Sequence, residues 1–354
     1  MKFLKIFIFA WPFFNACSPS SSQQTTVENT ANFEYIQQVQ ISETADSILI
    51  SSAQHLLQLA QKDLPIKEVM IVPTAVIAYL DELNALDQIT GVSQIDFIYN
   101  PTIHALFDQN KIEEIGSFNE LFIEKILLNQ PDLLISTSSP TLAKFHALLQ
   151  QQGVKILYID EYDELHPLAR AEYVKIFGKL LNKEKEAQQL FDEIEENYHN
   201  IQSQVAQLNR KKPTILANQI YGDIWYLPGG KSFQAQLFHD AGGNYLWASN
   251  DNEFSIHLSF ESVFEKANAA DFWLNVGDFQ SIEGLVATYP NYAWLKAVQQ
   301  KKVYNWSQSM TAKGGNDYFE TGTARPDWVL KDLVAILYPD LFPNHSLRFY
   351  KQLK

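Results

Sequence analysis

Short apolar runs alternate with amphipathic segments along the first half of the chain, beginning at Glu68. Apolar runs that end at proline, glycine or polar residues predict buried strands, and longer segments with apolar positions three or four apart predict helices. By this pattern strands are expected at 69–72, 89–92, 132–136 and 154–159, with helices at 74–83, 121–128 and 142–151. Such alternation is typical of a parallel α/β lobe.

The longest periodic segment lies in the middle of the chain. Apolar residues recur at steps of three and four from Ala187 to Leu208, which predicts one amphipathic helix. It should begin near Asn182 and end before Pro213, giving about 27 residues and a length of about 40 Å. A second α/β pattern follows, with strands expected at 214–217 and 271–276 and helices at 233–241, 260–267 and 327–337. The chain is therefore predicted to form two α/β lobes joined by one long helix.

The N-terminus has the pattern of a secretory signal. Lys2 and Lys5 precede an apolar run at 6–14, and Ala16 stands directly before Cys17. A charged start, a short apolar run and a small residue before the cleavage point define such a signal, and the run is too short to span a bilayer. Cys17 is the only cysteine, so no intramolecular disulfide can form. A lone cysteine here resembles the lipidated cysteine of bacterial lipoproteins.

The remaining chain divides by composition. Residues 18–32 are rich in Ser, Gln, Thr and Asn, which predicts a flexible tether. Residues 33–64 contain short apolar runs at 48–50 and 56–57 that indicate edge strands. The predicted divisions are a signal at 1–17, the tether at 18–32, a first lobe at 33–165, a helical region at 166–211 and a second lobe at 212–354.

Charge and size narrow the function classes. The formal net charge is −14, and an acidic surface of this kind repels nucleic acid. A chain of 354 residues exceeds a single core and should form two domains. Aromatic residues make up 13% of the chain, which leaves rings available for a binding cleft.

Ordered motifs make the chain resemble the substrate-binding proteins of ABC transporters, in the class with two Rossmann-like lobes and parallel sheets joined by one long α-helix (class III periplasmic binding proteins). The first-half motifs are EEIGSF, FIEKILLNQPDLLIS, HPLARAEY and LLNKEKEAQQLF. The second-half motifs are WYLPGGKSF, DAGGNYLW, LSFESVF and GGNDYFETGTARPDWVLKDL, and they look like those of Bacteroidetes-type lipoproteins. Proteins of this class carry ferric siderophores, haem or cobalamin.

The resemblance implies specific partners and residues. One glutamate on each lobe meets arginines of the permease in this class, and the matching positions are Glu124 in FIEKI and Glu261 in LSFESVF. Cys17 would carry the lipid. The expected partners are thus a membrane through the lipid, an ABC permease and, indirectly, its ATPase. The protein is expected to be an exported monomer on the periplasmic face of a membrane or at the cell surface, without a cofactor.

Ligands of parallel α/β lobes bind at the carboxyl ends of the strands. Residues predicted to follow those ends, or to lie on nearby loops, are Tyr99, Phe118, Trp225, Tyr226, Trp247, Trp306, Tyr318 and Arg325. Aromatic faces stack on flat conjugated ligands, and an arginine fork pairs with carboxylates or amides. We therefore expect one large metal chelate, a ferric siderophore or a corrinoid, between the lobes. Trp247 and Arg325 could equally be structural.

Two other functions remain as alternatives. A receptor for bare zinc or manganese would need several converging His and carboxylate ligands. The histidines are His55, His104, His146, His166, His199, His239, His257 and His345, and none has the paired spacing of a metal-binding helix. An exported enzyme is the less favoured alternative, because the chain has neither HExxH nor GxSxG. A surface lipoprotein that also binds an outer-membrane partner is compatible with the transport function.

Overall fold

A computed structural model describes residues 29–30, 33–277 and 279–354. The predicted signal, Cys17 and most of the predicted tether lie outside these residues. Residues 29 and 30, at the end of the predicted tether, instead form a strand that pairs with residues 42 and 43. In the described part of the chain, no helix is both long and apolar enough to cross a membrane.

An antiparallel sheet precedes the first lobe. Its strands, in spatial and chain order, are β1 (Asn29–Thr30), β2 (Val39–Glu43), β3 (Ser47–Ser52) and β4 (His55–Ala60). The runs at 48–50 and 56–57 therefore belong to strands of a separate sheet, with β3 paired on both sides. This sheet packs on the first lobe where the His55 ring stacks on Tyr158, with centroids 4.1 Å apart.

The first lobe is a five-stranded parallel sheet with helices between its strands. Its strands are β5 (Val69–Ile71), β6 (Ile89–Val92), β7 (Glu113–Glu114), β8 (Leu133–Ser136) and β9 (Ile156–Tyr158), in spatial order β7-β6-β5-β8-β9. Its helices are α1 (Ala75–Glu82), α2 (Pro101–Asp108), α3 (Ile123–Asn129) and α4 (Ala143–Gln151). The strands predicted by apolar runs are confirmed. The pattern missed α2, which begins where the Asn100 side chain accepts hydrogen bonds from the Thr102 and Ile103 amides.

Three helices connect the lobes: α5 (Pro167–Glu172), α6 (Val174–Leu180) and α7 (Glu184–Ala206). The long helix α7 has 23 residues, fewer than predicted. It begins after Asn182, which takes a left-handed backbone conformation, and it ends at Ala206, before the last periodic residue Leu208. Its periodic face is confirmed, since the buried side chains are Ala187, Phe191, Ile194, Tyr198, Ile201 and Val205. That face packs on α6 of the first half and on α13 (Pro326–Leu337) of the second.

The second lobe contains a mixed sheet and a small antiparallel one. The strands are β10 (Thr214–Ala217), β11 (Ile220–Tyr221), β12 (Ile224–Pro228), β13 (Asn244–Tyr245), β14 (Ser255–Leu258), β15 (Phe272–Leu274), β16 (Val303–Asn305) and β17 (Lys351–Gln352). The spatial orders are β13-β10-β15-β16-β17, with only β17 antiparallel, and β11-β12-β14. The remaining helices are α8 (Phe233–Asp240), α9 (Phe260–Ala267), α10 (Ile282–Thr288), α11 (Lys296–Gln299) and α12 (Thr321–Ala324). The predicted α/β class with two lobes and a joining helix is confirmed.

Candidate functional site

A cavity of about 300 Å³ lies between the two halves of the molecule. Residues after β9 and in α5 line one side, and parts of the second lobe within 218–234, 253–255 and 318–323 line the other. We call it the interlobe cavity. Its aromatic lining residues are Tyr162, Phe233, Phe254, Tyr318 and Phe319. Tyr162, Phe254 and Phe319 are each about half exposed, so their faces are available to a ligand.

Arg170 on α5 is the cationic side chain of the interlobe cavity. Its guanidinium donates to the Tyr162 and Glu164 carbonyl oxygens at 2.7 and 3.4 Å and lies 3.6 Å from the centre of the Phe233 ring. These contacts hold the planar guanidinium group of Arg170 in one orientation. Among the described residues, Arg170 has no carboxylate at ion-pair distance, although its charge interacts with the buried Glu161.

A buried acid lies near this guanidinium. Burial raises the pKa of the Glu161 carboxyl to about 7, and the charge of Arg170 opposes that rise. Burial also lowers the pKa of Arg170, while Glu161 opposes that change. Arginine stays protonated in proteins, so Arg170 keeps its positive charge. Arg170 was not among the predicted ligand contacts, although it stands within the HPLARAEY motif.

Tyr318 is the predicted ligand contact that lines the interlobe cavity. Trp306 stacks on it, with ring centroids 5.3 Å apart, and also contacts the ring of Phe319. Trp306 therefore supports this aromatic wall from behind. The other predicted contacts do not line the cavity.

Tyr99, Phe118 and Tyr226 lie elsewhere on the two lobes. Phe118 is 45% exposed on the loop after β7, and Tyr226 is 37% exposed with its ring against His257. Tyr99 is half-buried, and its amide donates to the Glu320 carboxylate. Their predicted contact with a ligand stays a prediction.

The prediction for Trp225 is wrong, because this side chain has no exposed surface. Trp225 lies on strand β12 and not on a loop, and its indole N–H donates to the Ala217 carbonyl at 3.0 Å. Its ring packs against Trp273 and Tyr292. Since side chains alternate along a strand, Trp225 points inward while Tyr226 points outward.

Trp247 and Arg325 have structural surroundings. Trp247 is 8% exposed, and its ring packs against Tyr245. The Arg325 guanidinium is buried, pairs with both oxygens of Asp327 at 2.8 and 3.0 Å, and lies near Glu82 and Glu193. Its charge is thus already balanced where α1, α7 and α13 meet. The prediction that Arg325 pairs with a ligand is contradicted by these contacts.

A buried acid joins the lobes away from the cavity. The Glu320 carboxyl accepts hydrogen bonds from the Tyr99 and Asn100 amides of the first lobe. Burial raises the pKa of Glu320 to about 8, although these two hydrogen bonds act in the opposite direction. The neighbouring exposed pair, Lys313 with Asp96 at 2.6 Å, also crosses between lobes. This contact between the lobes therefore depends on a titratable group.

Replacing Glu320 by glutamine is expected to change how stability depends on pH. An unfolded glutamate has the ordinary pKa of 4.5, whereas the folded value is about 8. The folded state therefore favours the neutral carboxyl. The contribution of Glu320 to the free energy of unfolding is highest below pH 4.5 and falls as the pH rises from 4.5 through 8, because the unfolded glutamate ionises first. Glutamine cannot ionise. The free energy of unfolding of Glu320→Gln should therefore rise relative to that of the native chain between pH 5 and pH 9. The expected rise is a few kcal/mol, since each pKa unit corresponds to about 1.4 kcal/mol.

Urea denaturation at several pH values measures this difference. Glu283→Gln makes the same change of charge at an exposed position of α10 and should show no such trend. A difference between Glu320→Gln and the native chain that stays constant from pH 5 to pH 9 would contradict the expectation.

The two carboxylates assigned to the permease both lie on the surface. Glu124 is exposed in the first turn of α3, and Glu261 is exposed in the first turn of α9. Hydrogen bonds from its own amide and from Ser259 lower the pKa of Glu261, so it is ionised at neutral pH. The two carboxylates are thus accessible at the start of a helix, one on each lobe.

His, Cys, Asp and Glu side chains are the usual ligands of metal ions in proteins. Within residues 33–277 and 279–354, no three His, Cys, Asp or Glu residues lie close enough to hold an ion together. His146 bonds to the Ser136 hydroxyl at 2.9 Å, and burial lowers its pKa to about 4. His345 bonds to the buried Asp332 at 2.6 Å.

The chain is similar in sequence or in structure to several known proteins. The profile of the periplasmic binding protein family matches residues 69–310. An uncharacterised lipoprotein of Methanocaldococcus jannaschii is 25% identical over 301 residues, covering 81% of this chain and 69% of that protein. A possible iron-binding periplasmic protein of Staphylococcus epidermidis superposes with a TM-score of 0.61 at 21% identity, covering 77% and 99% of the two chains. The periplasmic vitamin B12-binding protein of Vibrio cholerae gives 0.54 at 16% identity, covering 78% and 99%.

Proposed function

The chain belongs to the periplasmic binding protein family, and from this premise we propose that it is the substrate-binding component of an ABC importer. It captures a large metal chelate, either a corrinoid or a ferric siderophore, and delivers it to a membrane permease. We propose that it is exported and held at a membrane by a lipid on Cys17. The similarity to a lipoprotein of M. jannaschii supports the lipid.

The interlobe cavity is the observation that carries this proposal. Aromatic side chains from both halves of the molecule converge there around the unpaired guanidinium of Arg170. Flat conjugated ligands stack on such faces with little loss of side-chain freedom. A fixed guanidinium can pair with a carboxylate, phosphate or amide oxygen of the same ligand. A large chelate offers both kinds of group, whereas a bare metal ion offers neither.

The joining helix suggests how delivery works. Because α7 packs on α6 and on α13, the lobes can move relative to each other only by small hinge changes. A largely preformed site lowers the cost of ordering on binding. The loaded protein would present Glu124 and Glu261 to the permease, and ATP hydrolysis by the transporter would then open the site.

Tryptophan-fluorescence titration of the chain without residues 1–17 tests the choice of ligand. The panel contains cyanocobalamin, dicyanocobinamide, a ferric hydroxamate, a ferric catecholate, haemin, zinc and manganese. We expect at least one chelate to bind saturably. Binding should change the tryptophan fluorescence, because Trp306 stacks on Tyr318 in the cavity wall. Saturable binding of zinc or manganese alone would overturn the proposal.

Substitution of Arg170 tests the site. A hydrogen bond to a charged group contributes about 1.5–3 kcal/mol, so Arg170→Ala should weaken binding of the recognised chelate roughly 10- to 100-fold. Arg170→Lys keeps the charge but loses the planar guanidinium, so its affinity should lie between those of the native chain and Arg170→Ala. Arg210→Ala removes an arginine that pairs with the exposed Asp340 and should bind normally. Equal affinity of all these variants would remove Arg170 from the site.

A further inference from the structure

We infer that the N-terminal segment 33–38 forms one wall of a second subsite beside the interlobe cavity, which takes a neutral or cationic, amide-bearing part of the ligand. This inference rests on the proposed function and extends it to a part of the chain before residue 69, where the family match begins.

Two carboxylates hold the backbone of this segment in place. Glu172, which is fully buried, accepts hydrogen bonds from the amides of Glu34, Tyr35 and Ile36 at 2.8–3.0 Å. Glu164 accepts from the next two amides, those of residues 37 and 38, at 3.0 and 2.9 Å. Five consecutive amides are thus bound by carboxylates, and hydrogen bonds of this charged kind are strong.

The Tyr35 side chain fixes the segment to the joining helix as well. Its hydroxyl donates to Glu195 of α7 at 2.5 Å, and its ring stacks on His166, with centroids 4.9 Å apart. Glu172 itself pairs with Lys175 at 2.9 Å. The segment therefore has a fixed position relative to α5 and α7, as a wall of a binding site requires.

The segment faces a cavity of about 300 Å³, which we call the N-terminal subsite. Tyr35, Gln37 and Gln38 line it together with Asp163 and His166. The residues shared by the N-terminal subsite and the interlobe cavity are Glu164, Leu165, Glu253 and Phe254. Because four residues line both spaces, the two cavities adjoin, and one ligand can reach from one into the other.

The cavities continue past the segment towards the first lobe. A further space of about 310 Å³ is lined by Gln37, Gln38 and Asp163 again, and by Ser138 and Asp160 at the carboxyl ends of β8 and β9. The N-terminal segment thus lies along the edge of the sheet where ligands of α/β lobes bind.

The lining selects for hydrogen-bonding groups without negative charge. In the described part of the chain, the side-chain amides of Gln37 and Gln38 form no hydrogen bonds, and both residues are exposed to the cavities. An amide both donates and accepts, so it pairs well with the amides of a ligand. Asp163 and Glu253 add negative charge, which disfavours a ligand carboxylate at this end.

The double substitution Gln37→Ala with Gln38→Ala tests the inference, because it removes both side-chain amides and leaves the backbone amides bound to Glu164. The probes are cyanocobalamin and ferrioxamine B, which carry amides, and haemin, which carries carboxylates. The purified chain without residues 1–17 should bind at least one amide-bearing probe more tightly than haemin. Loss of two neutral hydrogen bonds should weaken that binding about tenfold and leave haemin binding unchanged.

Gln40→Ala with Gln204→Ala is the matched control, since both residues are exposed and line neither cavity. Its affinities should equal those of the native chain. If an amide-bearing probe binds and the Gln37, Gln38 variant retains full affinity, the subsite is wrong while the proposed function stands. If neither amide-bearing probe binds, the inference fails together with the choice of chelate. An equal loss of affinity for haemin and for the amide-bearing probe would also overturn the inference, because it would mean that the substitution changes the shape of the whole binding site.

Discussion

Replacing Glu124 and Glu261 together by alanine is expected to abolish uptake of the chelate while leaving its affinity for the receptor unchanged. Both carboxylates are exposed, one on α3 of the first lobe and one on α9 of the second, and neither lines the interlobe cavity. An exposed pair contributes less than about 1 kcal/mol, but a pair desolvated at an interface can contribute considerably more. Loss of the ion pairs that Glu124 and Glu261 would form with the permease should therefore prevent productive docking of the receptor on it.

Cells that depend on this receptor for the recognised chelate provide the measurement, through accumulation of radiolabelled metal. Each single variant should retain part of the uptake, and the double variant should fall to the level of cells without the receptor. Glu186→Ala with Glu196→Ala removes two exposed carboxylates of the joining helix and should transport normally. Normal uptake by the Glu124, Glu261 variant would remove both residues from the docking surface.

Replacing Asp332 by alanine is expected to lower the free energy of unfolding by about 3–5 kcal/mol, because buried hydrogen-bonding groups would lose their partner. Asp332 is fully buried on α13, and its carboxylate accepts from the Arg348, Phe349 and Tyr350 amides at 2.8–3.2 Å. It also bonds to the His345 ring at 2.6 Å. One carboxylate thus holds the C-terminal segment against the second lobe.

Urea denaturation measures the loss. Asp332→Asn keeps the size and one acceptor, so it should lose less than Asp332→Ala. Asp340→Ala removes an exposed acid whose pair is with Arg210, and it should change stability by less than about 1 kcal/mol. Equal stability of the Asp332→Ala and Asp340→Ala variants would contradict the expectation. Since Tyr318 packs against Phe349 and Tyr350, we also expect Asp332→Ala to weaken ligand binding.

Regular burial made the larger elements predictable. A helix that packs on one face repeats its apolar residues every three or four positions, as α7 does. A strand buried on both faces is a short apolar run, as β5 and β8 are. Strand β12 was harder to recognise, because Gly222 before it and Pro228-Gly229-Gly230 at its end are typical of a loop. The pairing of β12 with β11 and β14, which the sequence pattern does not state, put Trp225 in the core.

The sequence by itself determined the two-lobed architecture, the long helix and the family resemblance, since these depend on local periodicity and on the order of motifs. The tertiary structure decided the site, because a binding site is made by residues far apart in sequence. Tyr162, Phe254 and Tyr318 meet around Arg170 only after the lobes have packed. Packing also distinguished the two arginines. Arg325 lies among carboxylates and is neutralised by ion pairs, whereas Arg170 packs against the Phe233 ring and makes no such ion pair among the described residues.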